Sequence, residues 1–282
     1  MKTIQDIQTM RGVIQRARGQ KKRIGFVPTM GYLHEGHAAL LRQSKKENNF
    51  SVLSIFVNPK QFGPQEDFKE YPRDFKKDEL VAKKEKVDII FYPSVEEMYP
   101  QGYRTYVEVE ELSQVLCGRS RLGHFKGVAT VVSKLLNIVS PDVLYLGQKD
   151  AQQTVILSKM VENLNFPVQV KVLPTVRERD GLAMSSRNSY LTEQQRKDAP
   201  ILFQALSSAK TMILEGERNS QKITQSISQM ISKNTNGRID YIECVNARTL
   251  KPLKVSSGIV LIALAVWFGQ TRLIDNLTVR IR

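Results

Sequence analysis

Short apolar runs alternate with amphipathic stretches of helix length over the first part of the chain, and few folds accommodate that rhythm. Strand-like runs fall at 24–27, 51–57, 88–92, 143–146 and 168–172, and helix-like stretches at 36–48, 74–86, 127–139 and 151–164. Such alternation predicts a parallel sheet with helices on both faces, because each strand needs a crossover to run parallel to the last. Punctuation agrees with this reading. Pro141-Asp142 stops the helix before the fourth strand, and Asn165-Phe166-Pro167 the helix before the fifth. After Ser189 the pattern changes to amphipathic helices at 192–217 and 220–233, a turn signal at 234–237, and strand-like runs at 239–245, 258–266 and 271–279. The expected fold class is α/β: a Rossmann-like, doubly wound parallel sheet over 1–176, then a smaller α+β domain over 177–282.

At 282 residues, with 41% hydrophobic and 25% charged side chains, the chain can bury one good-sized core and a smaller one. Its longest apolar run, 259–268, is far short of the ~20 residues that cross a bilayer, so no membrane partner is expected. The start, Met1-Lys2-Thr3-Ile4-Gln5-Asp6, lacks the apolar core of a secretory signal, and the two cysteines, Cys117 and Cys244, form no framework. A cytoplasmic location is expected. The formal charge of +14 invites a nucleic-acid reading, but the basic residues lie in small scattered groups such as Lys21-Lys22-Arg23 and Lys83-Lys84. No aromatic residues interleave with a basic stripe to stack bases, so nucleic acid is not expected as a partner. A positive field also suits small anionic substrates.

Two segments carry the chemistry. In Pro28-Thr29-Met30-Gly31-Tyr32-Leu33-His34-Glu35-Gly36-His37, a strand hands over to a helix, and two of the chain's three histidines sit at the junction. Backbone N–H groups and the helix dipole favour an anion there, imidazoles add donors, and Gly36 lets a phosphate approach the backbone. The second segment is Met184-Ser185-Ser186-Arg187, where hydroxyls and a guanidinium fork can hold phosphates. Either alone is a weak signal; together and in this order they point to a nucleoside triphosphate.

The pair resembles the HIGH and KMSKS elements of the nucleotidyltransferase superfamily. Five segments are similar to one of its families, the pantothenate synthetases or pantoate–β-alanine ligases: 28–37, 56–63, 71–74, 146–153 and 184–188. The resemblance implies an ATP-dependent ligase that joins pantoate to β-alanine through a pantoyl adenylate, releasing AMP and pyrophosphate. It also implies a homodimer. His37, His34 and Lys149 would be catalytic. ATP would be bound by Met30, Gly31, Tyr32, Leu33, His34, Glu35, Gly36, His37, Gly147, Gln148, Lys149, Asp150, Val176, Met184, Ser185, Ser186 and Arg187. Asp150 would hold the ribose, and Val176 would offer backbone to adenine. Pro28, Thr29, Met30, Asn58, Gln61 and Gln153 would receive pantoate and β-alanine, with Tyr71 nearby.

One departure concerns the metal. Many members of the family it resembles carry two adjacent acids where this chain has Lys77-Asp78, so Asp78 alone stands as the candidate protein ligand for Mg2+. Otherwise the phosphates and water would hold the ion.

Overall fold

The computed structural model describes residues 1–64 and 66–281. Six strands form one parallel sheet: β1 (Lys2–Ile4), β2 (Ile24–Thr29), β3 (Phe50–Ile55), β4 (Ile89–Phe91), β5 (Val143–Gly147) and β6 (Gln169–Leu173), in the spatial order β1-β4-β3-β2-β5-β6. Neighbouring residues along a strand feed opposite cores. Phe26, Val52 and Leu144 pack into one, while Val27, Leu53 and Tyr145 pack into the other. Helices must therefore cover both faces, which makes the sheet doubly wound. Strand order reverses beside β2, whose neighbours are β3 and β5, and ligands of such sheets bind beyond the strand ends at that point.

Strand β1 and the helix Ile7–Gly19 behind it were not expected from the sequence. Strand β1 has three residues, of which only Ile4 is buried, too few to show a period. The expected helix 192–217 is two helices, Glu193–Asp198 and Ile201–Leu214, because Pro200 has no N–H to continue the first. The latter packs with Ser220–Asn234 against an antiparallel sheet of β7 (Arg238–Asn246), β8 (Ile259–Phe268) and β9 (Thr271–Arg280), in that order.

Two compact units result, and no single cut separates them. The first comprises Met1–Gln114, Gly118–Gln148 and Ile156–Pro174; the second comprises Val115–Cys117, Lys149–Val155 and the chain from Thr175 onward. Side chains explain the two short segments. Within the second unit, Gln152 donates to Val115 O at 2.7 Å and accepts from Cys117 N at 3.0 Å, and Asn276 donates to Lys149 O at 2.9 Å. None of the described helices is long and apolar enough to cross a membrane.

A polar cluster in the first unit gives the fold a pH signature. Glu47 accepts from the Tyr145 hydroxyl at 2.7 Å and is paired with Lys171, while Asn48 donates to the same hydroxyl. The Lys171 bond, then the Tyr145 bond, hold the Glu47 carboxyl down to about 2. A depressed carboxyl stabilises the folded state above its ordinary value of 4.5 and loses that contribution as pH falls toward about 2. The thermal midpoint of the wild type should therefore fall more steeply than that of Glu47→Gln across this window. Parallel curves would remove the cluster from the account.

Candidate active site

The junction between β2 and the helix Glu35–Glu47 combines local hydrogen bonds with contacts from distant parts of the first unit. Thr29 Oγ1 donates to Ser54 O at 2.8 Å and accepts from Gly31 N at 3.2 Å, fixing the end of the strand. The chain then turns through Gly31 at φ 85° and Tyr32 at φ 52°. His34 is the N-cap, its Nδ1 accepting from Gly36 N at 3.1 Å, and His37 Nδ1 reaches back to accept from His34 N at 3.2 Å. This is a capping box made of two imidazoles, their centroids 4.1 Å apart. A neutral ring whose Nδ1 accepts carries its proton on Nε2, so each histidine is set as an Nε2–H donor. Capping and phosphate contact are thus compatible uses of the same ring. Glu35 pairs with Arg42, on the flank of the helix.

Beside this junction lies the amide cluster. Asn58 is buried, donates to Gln61 Oε1 at 3.0 Å and to Gly127 O at 3.1 Å, and accepts from Tyr99 OH at 2.8 Å. An amide so committed orients Gln61. Gln61 Nε2 in turn lies 3.0 Å from Met30 Sδ, and Pro28 and Thr29 are half-buried in the same wall. Tyr71 is 5% exposed against Phe62, a core aromatic.

The expected metal ligand behaves differently. Asp78 is 1% exposed, and its two oxygens accept from Leu33 N at 2.6 Å and Tyr32 N at 2.9 Å. Among the described residues no group of three or more histidine, cysteine or acidic side chains could hold a metal ion. Both Asp78 oxygens are spent on backbone N–H groups, and the protein's own donor set does not make a protein-held Mg2+ cage. Lys77, next to it, places its ammonium 5.2 Å from the centre of the Tyr32 ring.

Residues that the sequence did not single out support the amide cluster. Arg121 donates two hydrogen bonds to the Glu66 carboxylate, each at 2.7 Å, and meets His124 Nε2 at 3.1 Å, and His124 Nδ1 lies 2.8 Å from Gln61 O. With Nε2 accepting from the guanidinium, the His124 ring donates through Nδ1 to the backbone that carries Gln61. Gly123, the N-cap of the helix that His124 opens, has φ 79°.

At the end of β5, Gly147 leaves open space where a Cβ would sit, as a nucleotide approaching the backbone requires. The next residues, Gln148–Asp150, form a 3-10 turn. In the second unit, Lys149 is only 21% exposed at its side chain and lies 3.2 Å from Asp150 Oδ1. Gln153 is half-buried on the helix Ala151–Asn163. Val176 accepts from Met184 N at 3.0 Å, so its carbonyl is committed to the hairpin that leads into Ser185. Ser185 Oγ accepts from Arg187 N at 3.3 Å and caps the 3-10 turn Ser186–Tyr190, whose Ser186 is buried. The hairpin is anchored by Arg177, which grips Asp275 at 2.6 and 2.9 Å and stacks 3.8 Å from the centre of the Phe203 ring.

Comparison with known proteins places this geometry. The pantoate-beta-alanine ligase family model matches residues 2–278, and the chain belongs to that family. It is 53% identical over 279 residues to the pantothenate synthetase of Caldicellulosiruptor bescii, covering 99% of each chain. The pantothenate synthetase of Moorella thermoacetica is 52% identical over 281 residues, covering 100% of this chain and 99% of that one. The crystal structure of pantothenate synthetase from Thermus thermophilus superposes with a TM-score of 0.94 at 43% identity, covering 98% of this chain and 99% of that one. A pantoate-beta-alanine ligase from Francisella tularensis, complexed with beta-gamma ATP and beta-alanine, superposes with a TM-score of 0.81 at 34% identity, covering 98% and 97%.

Proposed function

We propose that the chain condenses (R)-pantoate with β-alanine at the expense of ATP, releasing AMP and pyrophosphate, as a cytoplasmic homodimer. The observation that carries this reading is the two-imidazole capping box, which fixes a pair of Nε2–H donors at the strand end beside Met30 and Gln61. A carboxylate does not acylate an amine near neutral pH, because its leaving group would be oxide. In the first step a pantoate carboxylate oxygen attacks the α-phosphorus, the bond to the bridging oxygen breaks, and pyrophosphate leaves. In the second the β-alanine amine attacks the acyl carbon, AMP leaves with the C–O electron pair, and the amine gives up a proton.

Charge builds on phosphate oxygens in the first step, so positioned donors matter more than covalent help. His37 and His34 supply neutral donors, Lys149 a cation, and Ser185, Ser186 and Arg187 further phosphate contacts. Asp150 accepts from the ribose, and Gln148 and Gly147 flank the nucleotide. Gln61 and Gln153 recognise pantoate, since an amide both donates to its carboxylate and accepts from its hydroxyl. Phosphate oxygens of ATP and water would hold Mg2+, which would supply charge neutralisation on the triphosphate.

The test is direct. AMP formation from ATP should depend on both pantoate and β-alanine. Pantoate and ATP alone should release pyrophosphate in about one equivalent per site, as expected for an adenylate retained by the enzyme. 18O in the pantoate carboxylate should then appear in AMP. Production of ADP, or no label in AMP, would overturn the mechanism.

A further inference from the structure

Two imidazoles are accounted for by the chemistry, but the turn that delivers them is not. Residues 31 and 32 both have positive φ, an uncommon conformation for a side chain as large as Tyr32. Such a turn persists only where its surroundings hold it. The holder comes from outside the motif, 45 residues along the chain from Leu33. Asp78 lies in the first turn of the helix Phe75–Lys84, itself capped by Asp74, and is 1% exposed. Its Oδ1 accepts from Leu33 N at 2.6 Å and its Oδ2 from Tyr32 N at 2.9 Å. The approach is close enough that a Cβ on Gly31 would sit 2.9 Å from Oδ2 and 3.0 Å from Ile55 Cγ2.

Resting on the ligase reading above, we propose that Asp78 is a positioning residue for the adenylation step: its carboxylate fixes the 31–33 turn and, through it, the aim and tautomer of His34 and His37. The path is short and continuous. Leu33 N is held by Asp78, the next amide, His34 N, is held by His37 Nδ1, and His34 Nδ1 holds Gly36 N. Release of the first bond frees the backbone of residue 34 to rotate. Its N–H then leaves His37 Nδ1, and the ring is no longer confined to the Nε2–H form that donates to phosphate. Burial pushes the Asp78 carboxyl above the ordinary carboxylate range, and the two N–H bonds pull against that shift. The group is therefore spending its charge on the backbone, where a ligand of Mg2+ would spend it on the ion.

Asp78→Asn is the discriminating substitution, because it keeps the shape but turns one acceptor into a donor facing an N–H. At saturating ATP and pantoate, kcat for pyrophosphate release should fall about tenfold or more, as small displacements of reacting groups do, while KM for each substrate moves less than about threefold. The Mg2+ concentration for half-maximal rate should stay where it is in the wild type. Recovery of full rate at high Mg2+ would make Asp78 a metal ligand, and an unchanged kcat would leave it no role; either overturns the proposal. Two measurements on the wild type stand if the variant does not fold. 15N spectra should show both rings protonated at Nε2, and the Tyr32 and Leu33 amide hydrogens should exchange slowly although they lie outside any helix or strand. Protonation at Nδ1 of either ring, or fast exchange at both amides, overturns it as well. A wild type that forms no AMP from pantoate would instead sink the ligase reading and leave the spectra to decide the turn.

Discussion

Replacing Lys149 or His37 with alanine should lower pantoyl adenylate formation by roughly a hundredfold or more, about 2.7 kcal/mol of transition-state stabilisation, as loss of one preorganised donor does. The two variants should differ in stability. Lys149 touches Asp150 through a partly exposed pair and contributes little to folding. His37 closes the capping box, so His37→Ala also removes a cap worth about 1 kcal/mol. His37→Asn separates the two roles, because its side-chain oxygen can still accept from His34 N but offers no Nε2–H. It should regain part of the melting temperature and none of the rate. Rapid-quench measurement of pyrophosphate with ATP and pantoate alone is the readout, and near-normal release in either alanine variant would mean that the donors are elsewhere.

Gly127→Ala should be a strongly damaging small change in the first unit. The helix His124–Val139 packs so closely on the turn Pro59–Gln61 that an added Cβ would lie 2.1 Å from Lys60 O and 2.7 Å from Gln61 Cα. Those are backbone atoms with no rotamer to escape through. Overpacking of this kind costs about 1–3 kcal/mol and moves the turn. Since Asn58 donates to Gly127 O and orients Gln61, the KM for pantoate should rise along with the loss of stability. Gly147→Ala is the contrast, because its added Cβ would meet nothing within 4 Å. It should melt like the wild type and weaken ATP alone. Equal melting temperatures for Gly127→Ala and the wild type would show that the helix and turn can separate at no cost.

How far the sequence reaches depends on whether a signal is local. Strands β2, β3 and β5 are legible as short continuous apolar runs, as strands buried on both faces are, and the helices after them by their amphipathic period. The strand-to-helix site with His34 and His37 is legible for the same reason, since its parts are consecutive residues. Strand β1 is not, for three residues carry no period. The break at Pro200 was written in the sequence, but periodicity on both sides of the proline masked it.

By itself, then, the sequence determined a doubly wound parallel sheet with a smaller α+β part, and the order of the motifs on it. What it could not assign is which polar side chains are already spent inside the protein. Asp78 reads as a metal ligand and Asn58 as a substrate contact because their side chains can be either. The fold brings Tyr32 N and Leu33 N to Asp78, and Gly127 O and the Tyr99 hydroxyl to Asn58, from far along the chain. A carboxylate or amide buried among polar partners pairs with them, because leaving them unpaired away from water is costly.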